Sequence, residues 1–490
     1  MSYPKASQQK KAPLFDALLK HAKRQVVSFH TPGHKNGDGI DKRLRQFTGR
    51  NVYYLDVTTF PEVDSLHDPI TCIKQAQKLY ADLCGVKHTF FMLNGSSMGN
   101  QAMLMSACKP GDSVIMSRNC HKSVLGGVIL SGIWPIWVQP KIDQKLDIIF
   151  DLTPEQVELA IKQYPEARAV YVTSPTYNGV VTDLEKIADI AHRYGKILLV
   201  DEAHGPHLKF HPDLPMSAVE AGADMCVQST HKILSALSQG SVLHFNSDLV
   251  DLNHVKRVVS LLQTTSPNYF ILSSIDLARR QMWENGERLV DKMISISRFI
   301  RKRLKNCKRI MCFDENDIER LGYELDPSKV TINVTRTGLD GHEISEILNH
   351  NYRVQVDCAD IFNLIAILGT GSSMKDARTL ADALVEIDEK YIGKERYFEF
   401  QLPSLSTEMV MSPRETFLAG KTKRIPLSHS AGYISAQSLT PYPPGIPILI
   451  PGERITPEIR EYLLDLSEKD IRVSGQETDT LKTIKVVAIK

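Results

Sequence analysis

The sequence lacks the features that mark several large classes of protein. Its 8 cysteines, at positions 72, 84, 108, 120, 226, 307, 312 and 358, include no CxxC pair. That spacing excludes a zinc ribbon and a disulfide framework, and it is the cysteine usage of a reducing compartment. Charge of one sign is also missing: 59 Lys and Arg face 57 Asp and Glu for a net +2, so no basic field argues for nucleic acid. No run approaches the roughly 18 uninterrupted apolar residues of a membrane helix, and the polar, lysine-rich start from Met1 to Ala12 has no signal-type apolar centre. No repeat period or low-complexity tract is visible. What is present is a chain of 490 residues, 42% hydrophobic, long enough for two or three domains with a large core. The expectation is a soluble cytoplasmic protein.

Against these absences one stretch concentrates chemistry. Lys196 to Val200 is a short apolar run of the buried-strand type, and it delivers Asp201-Glu202-Ala203-His204-Gly205 at its carboxyl end. Open α/β sheets bind their ligands at that end. A second run, Ala223 to Val227, delivers Ser229-Thr230-His231-Lys232. Pyridoxal phosphate needs such a pair, a lysine to hold it as a Schiff base and an acid to keep its ring nitrogen protonated. Asp201 and Lys232 are the candidates, with Ser229 placed for the phosphate. An ordinary loop carboxylate and a solvated lysine are the competing description, so the weight falls on the rest of the chain.

That remainder supplies further polar loops. His30-Thr31-Pro32-Gly33-His34-Lys35-Asn36-Gly37 sets two histidines and a lysine on irregular backbone. His88 to Met92 reads as a strand, Asn94 to Asn100 as a tight loop and Gln101 to Cys108 as a helix; hydroxyls and free N–H groups at such a junction form a phosphate cradle. Ser113 to Met116 is a strand leading to His121, which is placed either to stack on a pyridine ring or to be a plain surface imidazole. Ala169 to Thr173 is a strand, and the helix after it opens with Thr182 and Glu185 as a capping box and closes at Gly195. Strand, helix and the Lys196 strand make a βαβ unit, which sets the class as α/β.

Further on, a helical pattern runs from Ser273 to about Lys305. Short strands at Val330 to Val334 and Ile361 to Leu368, with a helix at His342 to Leu348, predict a smaller α+β domain, and Lys375 to Tyr391 is one more helix. Residues 393–403 read as a linker. A proline-rich turn from Thr440 to Pro447 leads to Glu453 and stiffens its approach. The expected division is an N-terminal segment 1–65, a large domain 66–270, a small domain 271–392 and a C-terminal domain 393–490.

Three other chemistries are excluded. Asp201-Glu202-Ala203-His204 spells the DEAH box of some helicases and Ala419-Gly420-Lys421-Thr422 resembles the end of a P-loop, but that loop's first glycine would fall on Glu415. His204, His207 and His211 have ligand-like spacing, yet Gly205 and Pro206 break the helix that would align them, so no metal is expected. No G-x-S-x-G elbow supports a serine hydrolase.

The assembled residues resemble the Orn/Lys/Arg decarboxylases, bacterial pyridoxal-phosphate enzymes with the aspartate-aminotransferase fold. The similarity rests on His30 to Lys35, Asn94-Gly95-Ser96-Ser97, Arg118-Asn119-Cys120-His121-Lys122-Ser123, Ser229 to Lys232, Thr264-Thr265-Ser266-Pro267 and Tyr442-Pro443-Pro444-Gly445-Ile446-Pro447, all in the family's order. The resemblance implies a fold type I large domain with a smaller α+β domain and a C-terminal domain. It implies that Lys232 is the Schiff-base lysine, Asp201 the partner of the ring nitrogen and His121 the stacked residue. It places Ser96, Ser97, Ser229 and His231 at the phosphate and His204 among the cofactor residues. It implies a homodimer or higher homo-oligomer in which Thr265 and Ser266 reach a neighbouring subunit's cofactor.

The long, acid-induced members carry an amino-terminal receiver-like domain, whereas here the first motif arrives by His30, so the chain resembles the short-form arginine decarboxylases of polyamine synthesis. The expected reaction is α-decarboxylation of a basic amino acid, arginine favoured, with lysine or ornithine as alternatives. A same-fold aminotransferase and a non-enzymatic cofactor-binding regulator are the other readings. Asp64, Asp357, Asp360 and Glu453 are the candidate carboxylates for the substrate's distal cation.

Overall fold

The computed structural model describes residues 6–143, 145–391, 407–441, 446–469, 473–478 and 480–488. The expected linker at 393–403 and Tyr442 to Gly445 of the proline-rich turn lie outside them. Seven strands build the principal sheet: β1 His88–Met92, β2 Ser113–Ser117, β3 Trp134–Val138, β4 Ala169–Thr173, β5 Ile197–Asp201, β6 Met225–Gln228 and β7 Ser241–Phe245. Their order is β1-β7-β6-β5-β4-β2-β3. The β2–β3, β2–β4 and β5–β6 pairs are parallel, while β7 runs antiparallel to both β6 and β1. All five residues of β5 are buried, which is why its sequence is a continuous apolar run rather than an alternating one.

The described residues fall into two compact units, those within 1–106, 199–294 and 369–371 and those within 107–198, 295–368 and 372–490. In the first unit, helix Pro13–Lys23 is tied down by a fully buried ion pair. Asp276 accepts the Leu14 N–H at 3.0 Å and pairs with Arg279 at 3.1 Å, while Arg279 also donates to the Gln9 carbonyl at 2.9 Å. Helix Cys72–Cys84 ends at Gly85, whose φ of +75° is the left-handed cap that glycine adopts without strain. The long helix Tyr269–Leu304 starts four residues before its expected beginning at Ser273.

In the second unit the helix after β4 is Leu184–Arg193, and its cap is one residue from the expected one. Asp183 accepts the Lys186 N–H at 3.0 Å, whereas the Thr182 hydroxyl donates to the Leu152 carbonyl at 2.7 Å. The expected Thr182–Glu185 capping box is therefore absent from this helix. A smaller sheet of β8 Met311–Cys312, β9 Lys329–Asn333, β10 Cys358–Ala359 and β11 Asn363–Ile367 has the order β8-β9-β11-β10 and is antiparallel throughout. Near the C-terminus, β12 Thr422–Pro426 pairs with β13 Thr483–Val487 over a core that includes Leu427, Ile448, Ile455, Leu463 and Ile484. Among the described residues no helix is long and apolar enough to cross a membrane.

Candidate active site

In the first unit the ends of β5 and β6 face one helix. That helix begins at Gly95, not after Asn100 as expected, and runs Gly95–Ala107. Ser96 and Ser97 thus sit in its first turn, where backbone N–H groups have no intrahelical acceptor. Glycine at 99 lets the helix lie against β6: a Cβ there would come within 2.3 Å of the Val227 side chain. The close approach brings the buried Ser96 and Ser229 hydroxyls to 2.7 Å from each other. One turn along, the buried Asn100 amide donates to Asp201 Oδ2 at 2.8 Å, and the Ala203 N–H donates to Asp201 Oδ1 at 3.0 Å. Both carboxylate oxygens are held, and Asp201 is only 3% exposed.

Lys232 lies in the short turn Thr230–Ile233, with Nζ 2.9 Å from Nε2 of the buried His204. When the ammonium donates, the imidazole proton sits on Nδ1. The loop behind Lys232 is closed on the Gly240 carbonyl, which accepts from Thr230 Oγ1 at 2.7 Å and from His231 Nδ1 at 2.8 Å. The Gly95 N–H donates to the Gln239 carbonyl at 3.0 Å, linking this loop to the start of the helix. Burial, the larger cause, and the charge of Lys232 lower the pKa of His231, while its bond to the Gly240 carbonyl raises it. The first-turn N–H groups and the convergent serine hydroxyls fit a phosphate, and a buried carboxylate and an amine at the ends of neighbouring strands fit a pyridine aldehyde.

The second unit holds the other predicted residues. His121 is exposed and caps helix Lys122–Ser131, its Nδ1 accepting the Ser123 N–H at 3.2 Å and lying 2.8 Å from Ser123 Oγ. Accepting at Nδ1 leaves the ring proton on Nε2. Three residues earlier, Arg118 is 1% exposed and makes a forked pair with Glu453, Nη1 to Oε1 at 2.6 Å and Nη2 to Oε2 at 2.7 Å, while its Nε donates to the Pro447 carbonyl at 2.8 Å. Tyr177, in the turn after β4, donates its hydroxyl to the exposed Asp357.

Three of the four acids expected at the substrate's cation are engaged elsewhere. Glu453 is filled by Arg118 and also accepts the Ile450 N–H at 2.8 Å. Asp64 is 3% exposed and accepts N–H groups of Ile70, Thr71 and Ile73 at 2.9, 2.7 and 3.0 Å, so it caps helix Cys72–Cys84. Asp360 accepts from Phe362 and Asn363, each at 2.7 Å, and burial pushes its carboxyl up to about 6. Asp357 alone of the four is exposed. Thr265 and Ser266 are exposed in the turn between helices Leu252–Leu262 and Tyr269–Leu304. Among the described residues no cluster of His, Cys, Asp or Glu is arranged to hold a metal.

Sequence reasoning missed Asn100 and Arg118. Asn100 had a signal: it is four positions after Ser96, the spacing that puts two side chains on one face of a helix. Arg118 stood in a motif, but nothing local pointed to its partner, which is 335 positions away.

A sheet of this order with a lysine and a held carboxylate beyond adjacent strands, and serines meeting at a helix N-terminus, defines the fold type I class of pyridoxal-phosphate enzymes. Within that class the chain belongs to the Orn/Lys/Arg decarboxylase family: the family's major-domain model matches residues 12–376 and its C-terminal-domain model residues 397–483. It is a decarboxylase of that family. An arginine decarboxylase of Bacillus subtilis is 39% identical over 483 residues, covering 98% of each chain. The lysine decarboxylase LdcF of Francisella novicida superposes with a TM-score of 0.84 at 25% identity, over 97% of this chain and 81% of that one. An alanine–glyoxylate aminotransferase from Nostoc, with a TM-score of 0.53 at 15% identity over 66% of this chain and 88% of its own, shares the fold alone.

Proposed function

We propose that this enzyme removes the α-carboxyl group of arginine, giving agmatine and carbon dioxide, with pyridoxal phosphate held between Asp201 and Lys232. The observation that carries the reading is the pair itself: a buried carboxylate fixed by Asn100 and Ala203 at the carboxyl end of one strand, and an amine 2.9 Å from an imidazole just beyond the end of its parallel neighbour. Bound there, the cofactor would supply an electron sink for the pair left on Cα when carbon dioxide departs. Lys232 Nζ is the anchoring amine. Asp201 keeps a proton on the ring nitrogen; Ser96, Ser97 and Ser229, with the first-turn N–H groups, receive the phosphate. The family similarity assigns His121 to the ring as well. His204 Nε2 takes up or returns the proton that Lys232 Nζ exchanges as the substrate amine arrives and the product leaves.

Arginine is favoured over lysine because the similarity to the Bacillus arginine decarboxylase is the stronger of the two. The exposed Asp357, braced by Tyr177, is the carboxylate offered to the guanidinium. We further propose a cytoplasmic homodimer acting in polyamine formation. Val27, Phe29 and Phe47 of the first unit are 83%, 94% and 90% exposed, apolar side chains of the kind that a second copy would cover, and the exposed Thr265 and Ser266 are assigned to the partner's cofactor. The division at residues 65, 270 and 392 is kept as the functional partition, its last boundary supported by the gap between the two family models.

Amine detection after separate incubation with arginine, lysine and ornithine tests the substrate. Agmatine as dominant product is the expected result; cadaverine or putrescine replaces the substrate, and no amine from any of the three removes the reading. Lys232→Ala is expected to abolish both turnover and the visible absorbance of bound cofactor, and borohydride reduction with peptide mapping should label Lys232 and no other lysine.

A further inference from the structure

Strand geometry gives the first unit a second polar face. Successive side chains on a strand point to opposite sides, so on β6 Val227 and, beyond it, Ser229 face helix Gly95–Ala107, while Cys226 and Gln228 face away. At the end of β5 the same alternation sends Asp201 toward Asn100 and Glu202 to the far side. There the two outward residues meet: Gln228 Nε2 donates to Glu202 Oε2 at 2.6 Å. Glu202 Oε1 accepts the Ala218 N–H at 2.6 Å, and the Cys226 thiol lies 3.5 Å from Oε2.

The contact continues across the next two strands. Gln228 Oε1 is 3.1 Å from His244 Nε2 on β7, and His244 Nδ1 is 2.8 Å from Thr89 Oγ1 on β1. His244 pairs in register with Cys226 on one side and Thr89 on the other, so a single row of side chains crosses four strands. All four members are buried, from 0% to 3% exposed. The donors run one way, Thr89 hydroxyl to His244, His244 Nε2–H to Gln228, Gln228 amide to Glu202, and they end on the carboxylate. Burial holds His244 neutral, as that direction requires, with its pKa lowered to about 3.

On the reading that the Asp201 and Lys232 face holds pyridoxal phosphate, we infer that Glu202 and Gln228, braced by His244, are positioning residues that fix the ends of β5 and β6 to each other from behind. Glu202 adjoins Asp201 and Gln228 adjoins Ser229. The Glu202–Gln228 bond therefore sets the separation between the acid meant for the ring nitrogen and the hydroxyl meant for the phosphate. Backbone bonds lace the same two ends, Glu202 N–H to the Val227 carbonyl at 3.0 Å and Ser229 N–H to the Ala203 carbonyl at 3.3 Å, and these do not involve the side chains.

The test is an exchange. In Glu202→Gln, two amide donors face each other; in Gln228→Leu, the carboxylate loses its amide. Exchanging the pair, Glu202→Gln with Gln228→Glu, satisfies every bond in the row: Ala218 N–H meets the new amide oxygen, and the new carboxylate accepts from both the amide and His244 Nε2–H. Pyridoxal phosphate is titrated into cofactor-free full-length protein and followed by absorbance, with thermal unfolding in parallel. Each single change is expected to raise the cofactor Kd about tenfold and shift the visible band, the exchange to return Kd to within roughly threefold of wild type. Single variants that bind like wild type overturn the inference, as does an exchange variant that folds without recovering affinity or does not fold at all. If a single variant does not fold, the exchange decides alone. Failure of the wild-type chain to bind pyridoxal phosphate would instead remove the proposed function.

Discussion

Glu453 in one compact unit and Glu202 in the other are both buried carboxylates, 1% and 0% exposed, yet they are held by opposite means. Glu453 meets a guanidinium that supplies two parallel donors and a full positive charge. Glu202 meets a neutral amide, a backbone N–H and a thiol, and among the described residues no cation pairs with it. Burial, aided by Glu220, pushes Glu202 up to about 7 against the pull of its N–H donors. One carboxylate is locked to a guanidinium, while the other is held by neutral donors alone, where burial raises its pKa.

The largest expected effect comes from breaking the fixed pair. Glu453→Gln leaves Arg118 buried and uncompensated, and urea unfolding should show a loss of about 3 to 5 kcal/mol. Replacing both, as Arg118→Met with Glu453→Leu, should recover all but about 2 kcal/mol, since the desolvated charges disappear together. Equal losses in the single and double variants would mean that the carbonyl bonds of Arg118, rather than its charge pairing, hold that region.

A pH series sharpens the contrast. Glu202 has a folded pKa raised above its ordinary 4.5, so the folded state keeps a proton that the unfolded chain has released. Its contribution is fully present below about pH 4.5 and is lost as pH rises through 7. The stability of wild type relative to Glu202→Gln should therefore fall by roughly 1 to 3 kcal/mol between pH 5 and 7. A difference that is flat across this range breaks the comparison.

The smallest effect is expected from an acid of the surface kind. Asp357→Asn should change stability by less than about 1 kcal/mol, because the exposed carboxylate is already solvated. Its consequence should appear instead in KM for the basic substrate. A large drop in thermal stability with unchanged KM would turn Asp357 into another structural acid.

These residues also show what a sequence can reveal. Asp201, Ser229 and Lys232 were legible because they follow apolar runs at strand ends, where position and chemistry coincide. Ser96 and Ser97 were legible as polar groups near a helix start, but not as residues of its first turn, since Gly-Ser-Ser is as compatible with a loop as with an unpaired first turn. Asp183 was displaced to Thr182 because either residue type caps a helix and only the backbone decides. Asp64 and Glu453 looked free to bind a substrate because their partners are backbone N–H groups and a distant arginine, which no local pattern encodes. The two compact units are discontinuous in the chain, so reading residues in order could not delimit them.

The Arg118–Glu453 pair also fixes an order of events during synthesis. The loop that carries His121 leaves the ribosome long before the carboxylate 335 positions later exists to receive its arginine. Until then the Arg118 guanidinium is best solvated by water, while backbone bonds such as Arg118 N–H to the Val138 carbonyl at 3.0 Å and Cys120 N–H to the Ser117 carbonyl at 3.3 Å can already form. The burial of this arginine thus waits on the last part of the chain, so a nascent or truncated polypeptide ending before residue 453 would carry the strands of the sheet with the Arg118 charge still in water.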